Sequence, residues 1–123
     1  MKVTSGPADR RHALFGGRGD VLVWNLSADE APAPPFVVVL SCELDPDGRV
    51  GPHHQAEYPE IVVFLEGEGA ASVDGTSRDV GPGAVVSLPL GSILSITNRS
   101  QTEPLRYLII KAKQPIAPEG SAT

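Results

Sequence analysis

No stretch of this chain carries an apolar stripe at the 3.6-residue period long enough for a core-forming helix. It carries short runs rich in Val, Ile, Leu and Phe, each ended by glycine, proline or aspartate. That pattern predicts strands over 20–26, 36–44, 60–65, 70–73, 84–88, 93–97 and 105–112. Asp74-Gly75 is a two-residue hairpin signal, and Asp45-Pro46-Asp47-Gly48 and Gly81-Pro82-Gly83 are tight turns. Many short strands at regular spacing fold as a sandwich or barrel, and a doubly wound α/β sheet is excluded for want of helices between them. The fold class is therefore all-β.

The length of 123 residues suits one domain. Residues 1–17 read as an N-terminal arm, with Ala13-Leu14-Phe15 as a short pairing strand. Residues 18–113 read as the barrel and 114–123 as a loose tail. The prolines of 31–35 make a loop too short to separate domains. Gly16-Gly17-Arg18-Gly19 lacks the Lys-Ser/Thr and the helix of a phosphate loop, and reads as a flexible connection.

The formal charge of -5 carries no basic stripe for phosphates, so no nucleic-acid partner is expected. No apolar run reaches membrane-spanning length and no secretory segment follows Met1, so no membrane role and a cytoplasmic location are expected. Cys42 is the single cysteine. It excludes an internal disulfide and a thiolate metal site, and reads as a packed or cavity-lining thiol.

Polar chemistry gathers before the apolar run 61–65. His53, His54, Gln55 and Glu60 lie there, with Gly67 seven residues after Glu60. In one register, His53 and Gln55 fill two places, one residue apart, ahead of Glu60. In the other, Gly48 and His54 fit and Ala56 takes the second place. The first keeps a polar group at both places and is preferred. Further on, Gly83, Pro89, Gly91 and Asn98 repeat a second spacing, with Leu94 where a histidine would complete it.

On these two motifs, across residues 48–98, the chain resembles the cupin superfamily. The resemblance implies a single-domain jelly-roll β-barrel with a metal-type pocket whose ligand set is altered. If a metal is present, its ligands would be His53, Gln55 and Glu60. Leu94 donates nothing, so the expectation is an enzyme without a cofactor, with a weakly held divalent metal as the alternative. His53 and Glu60 are the candidate catalytic pair. A glutamate brought among Val62 and Phe64 loses hydration, and its pKa rises unless His53 answers it. Such a pair moves protons to and from a carbon acid.

The candidate substrate-binding residues are His54, Gln55, Tyr58, Val62, Phe64, Leu94 and Tyr107. Tyr107 shares one face with Ile109 and Lys111, and the sequence leaves open whether that face or that of Leu108 and Ile110 is inside. Asn98 and Trp24 read as structural. The resemblance further implies a cyclase, isomerase or lyase acting on an apolar oxygenated small molecule, polyketide-like, in secondary metabolism. A non-catalytic binding barrel and a metal-dependent oxygenase or isomerase are the alternatives. A homodimer is expected, joined through Val3, Phe15 and the run 21–26, since open sheet edges need cover.

Overall fold

The computed structural model describes Thr4 and residues 6–114. The strands are β1 (Asp9–His12), β2 (Asp20–Asn25), β3 (Phe36–Leu44), β4 (Arg49–His54), β5 (Glu60–Glu66), β6 (Gly69–Val73), β7 (Thr76–Val80), β8 (Val85–Leu88), β9 (Ile93–Asn98) and β10 (Leu105–Ala112). They form two facing antiparallel sheets, of order β1-β2-β3-β10-β5-β8 and β4-β9-β6-β7. This is the expected jelly roll. The sheets remain two separate ladders rather than one continuous ring. No helix among the described residues is long and apolar enough to cross a membrane.

Alternation places the core. Glu60, Val62 and Phe64 of β5 point inward, while Ile61, Val63 and Leu65 are only half-buried. Leu44, Leu88, Ile96 and Leu105 meet them, all nearly inaccessible to water. At the Asp74-Gly75 hairpin both residues take positive φ, 50° and 87°, the conformation a two-residue turn requires. β4, β7 and β1 were not among the strands expected. Two of them are too polar to show an apolar run, and β4 contains Gly51 and Pro52, which read as breakers.

The arm differs from expectation in an instructive way. The strand that pairs with β2 is Asp9–His12, not Ala13-Leu14-Phe15. Ala13 and Phe15 adopt φ of 48° and 54°, and Leu14–Gly16 is a single 3-10 turn. The glycines after it form a strap rather than a free connection. Arg18 exchanges backbone hydrogen bonds with Arg49 at 2.9 and 2.8 Å. A Cβ on Gly17 would lie 1.8 Å from the Arg49 carbonyl oxygen, and one on Gly51 would lie 1.9 Å from that of Phe15. Only glycine at both positions lets the strap press this closely on β4.

Two further expectations touch this region. The surface expected to join two copies is partly used within the chain: Phe15, Val21 and Val23 line the internal cavity. Val3 lies outside the described residues, as do positions 115–123 of the tail.

Candidate functional site

The strap, β4, β3 and β10 enclose a cavity of about 250 Å³. Its walls are mainly apolar, with Leu40, Val50, Leu94, Ile96 and Ile109 among them. Polar side chains break that wall, among them His53, Gln55, Glu60 and Lys111. β-strand alternation explains the first pair. His53 and Gln55 are two residues apart and face in, while His54 between them is exposed. Gln55 is 2% exposed. Its backbone is clamped by bonds from its N–H to the Ser92 carbonyl and from the Gly91 N–H to its own carbonyl, both 2.8 Å.

The His53 ring is held from two sides. Phe15 stacks on it with ring centroids 4.0 Å apart and planes within 9°. The Gln55 amide nitrogen lies 3.3 Å from Nδ1. An amide nitrogen can only donate, so Nδ1 accepts and Nε2 carries the proton. Burial lowers the His53 pKa, helped by the charges of Lys111 and His54. A neutral ring with Nε2–H as its free donor follows at neutral pH.

Glu60 is 7% exposed. Its partner is Lys111, opposite it on β10, with Nζ 3.5 Å from Oε1. Burial raises the Glu60 pKa, and Lys111 offsets only part of that rise. His53 and Glu60 therefore share one cavity, but the group that answers the carboxylate is the ammonium of Lys111. Sequence reasoning had placed Lys111 on the Tyr107 face without assigning it a role. Its signal was available in the strand period, since Lys111 shares parity with Tyr107 and Ile109.

That face is the inner one: Tyr107, Ile109 and Lys111 all line the cavity. Tyr107 is wholly buried, and burial, with Cys42 and Glu60 nearby, lifts its pKa well above the ordinary value. Cys42 also lines the wall, and burial pushes its thiol up to about 12, so it stays protonated. Val62 and Phe64, expected on the wall, lie off it in the core. Phe64 packs behind Tyr107, with ring centroids 5.6 Å apart. His54 and Tyr58 belong to an adjoining polar pocket that shares His53, Gln55 and Lys111 with the apolar cavity. Trp24 is buried and does not line the cavity. Asn98 sits at the far end of β9, bonded to backbone.

The donor set does not fit a tightly held metal. Gln55 offers only a neutral amide oxygen, Leu94, which donates nothing, stands across from His53 in the ladder, and an ammonium flanks Glu60. Among the described residues no three His, Cys, Asp or Glu side chains are grouped to hold an ion. The arrangement supplies instead a carboxylate, an ammonium and a neutral imidazole in an apolar chamber.

Comparison with known proteins agrees with this architecture. The family described as "Cupin domain" matches residues 40–111. A Thermotoga maritima protein described as a predicted oxalate decarboxylase superposes with a TM-score of 0.82 at 25% identity, covering 93% of this chain and 99% of the other. A Cupin 2 conserved barrel domain protein from Salinispora arenicola gives 0.66 at 26% identity, with 76% of each chain covered. KdgF from a Halomonas species gives 0.64 at 14% identity, covering 86% of this chain and 87% of the other, a likeness of fold alone. No curated protein sequence matches the chain. By its family match and its two-sheet jelly roll, this chain belongs to the cupin family.

Proposed function

We propose that this protein is an acid–base enzyme, a cyclase, isomerase or lyase, acting on a small apolar molecule with a carbonyl group. The observation that carries this reading is a carboxylate of raised pKa in an apolar cavity, paired only with Lys111 in the contacts described. A carboxylate so placed is a stronger base than in water, because ionisation is what burial penalises. Glu60 takes the proton from carbon. Neutral His53 offers its Nε2–H to a substrate oxygen. Phe15 and Gln55 fix the imidazole plane and tautomer. The chamber is slightly below the ~300 Å³ where drug-sized ligand sites begin, which favours a single-ring or short-chain substrate. The Thermotoga neighbour's description, a predicted oxalate decarboxylase, adds support for small-molecule chemistry in this fold.

Deuterium exchange tests the reading across a panel of model compounds. Small aryl and cyclic ketones are incubated with the protein in D₂O and followed by proton NMR. Protein-dependent loss of the signal next to the carbonyl is expected for at least one class, with His53→Ala slowed about 10²-fold or more and still folded. Ligands that bind without exchange would instead identify a non-catalytic binding barrel. Undiminished exchange in both His53→Ala and Glu60→Gln would remove these two residues from the chemistry.

A further inference from the structure

Lys111 stands where the site needs a cation. Proton abstraction next to a carbonyl breaks a C–H bond and delivers the proton to Glu60. The electron pair becomes part of a C=C bond, and the carbonyl π pair moves onto oxygen. Negative charge thus leaves Glu60 and appears on the substrate oxygen. In an apolar chamber an uncompensated enolate would be costly.

We propose that Lys111 is a catalytic residue whose ammonium passes from the Glu60 carboxylate to the enolate oxygen, so that the substrate is a neutral carbonyl compound stabilised as its oxyanion. This deepens the acid–base reading and rests on it.

Three observations carry the inference. Lys111 lines both the apolar cavity and the polar pocket, and its side chain is about a quarter exposed. Its contact with Glu60 is 3.5 Å, longer than a direct charge-assisted bond of ~2.7–2.9 Å, and an ammonium has three donors to share. The other cation on the wall, Arg11, is exposed and ion-paired with Asp9 at 2.6 Å. The exchange keeps the site's charge constant: lysine and carboxylate become lysine and enolate, beside a neutral glutamic acid. Fixed charge aimed at where an oxyanion develops is an effective form of catalysis. Return is symmetrical. The C=O bond re-forms and the carbon pair takes the proton back from Glu60, at the same or a neighbouring carbon. No metal is required, and the mismatch between the donor set and an ion is accounted for by this built-in cation.

The probe is 4-nitrophenol, whose oxygen mimics an enolate and whose ionised form is yellow. It is titrated into wild type, Lys111→Met and Lys111→Arg at a pH where the free phenol is mostly neutral, with circular dichroism confirming the fold; Lys111→Gln replaces Lys111→Met should that variant not fold. The expected result is saturable binding with the phenolate absorbance in wild type. Removing the ammonium should weaken binding about 10- to 100-fold and abolish the yellow form. Lys111→Arg should retain it. Binding as the neutral phenol in wild type, no binding, or an unchanged signal in the charge-removed variant would each overturn the proposal. The two readings fail separately. Deuterium exchange that survives loss of the ammonium sinks this inference alone. Phenolate captured by Lys111 with no exchange on any ketone sinks the acid–base enzyme and leaves the cation site standing.

Discussion

Glu60→Gln is expected to lower ketone deuterium exchange by about 10²- to 10⁴-fold while the protein stays folded. Glutamine keeps the shape and can still accept a bond from Lys111, but it cannot carry the proton. The pH dependence follows from the direction of the shift. Burial raises the folded-state pKa of Glu60 above its unfolded value. A raised carboxyl pKa means that folding favours the protonated form. That contribution to stability is present below the unfolded pKa and is lost as pH rises through the raised folded value. Above the raised folded value the ionised glutamate is therefore a net cost even with Lys111 beside it. Thermal melts of Glu60→Gln should match or exceed wild type at neutral pH, and the difference should vanish near pH 4. Exchange by wild type should rise with pH through the same raised midpoint. Loss of activity accompanied by a large fall in Tm at neutral pH would indicate a structural role instead.

The largest loss of stability is expected at the other end of the barrel. Asn98 is 1% exposed. Its side-chain nitrogen donates to the carbonyls of Asp45 and Glu103 at 2.9 and 2.8 Å, with a longer approach to Leu44 at 3.3 Å. Its Oδ1 accepts from the Ser100 N–H at 2.9 Å. One side chain thus ties the end of β9 to the β3–β4 turn and to the loop before β10. Asn98→Ala strips several buried backbone groups of partners at ~1–3 kcal/mol each. A total of about 3–5 kcal/mol is a large share of the ~5–15 kcal/mol that hold a domain together. Denaturant unfolding should show the midpoint falling sharply. Exchange per folded molecule should be unchanged, because Asn98 lies at the end of β9 opposite His53 and Leu94.

Much of this was legible in the sequence because strand parity is a strict rule. Parity puts His53 and Gln55 on one face and His54 on the other, but it left open which face is inside, and the structure turns His53 and Gln55 inward with Glu60. The glycine, proline and asparagine spacings of the two motifs fixed the fold, and Asn98 read correctly as structural. Three features were not legible. Val62 and Phe64 share parity with Glu60, but depth along the strand decides between cavity wall and core, and Phe64 sits behind Tyr107. The partner of Glu60 is set by which strand lies beside β5, and in the β5–β10 ladder Glu60 meets Lys111 from about fifty positions away. The Phe15 strap depends on left-handed backbone at two ordinary residues, where the apolar triplet Ala13-Leu14-Phe15 looks like a strand. The sequence shows Gly17 and Gly51, but not that each presses on the backbone of the other's segment.

Catalysis of this kind requires Glu60 to be a buried base of raised affinity for protons, held against Lys111. Carbon-13 NMR of the glutamate side-chain carboxyls, with Glu60 assigned through Glu60→Gln, measures this in the ligand-free protein. The predicted midpoint lies above the ordinary glutamate value of about 4.3 and climbs further in Lys111→Met. A midpoint at or below the ordinary value, unmoved by that substitution, would contradict it.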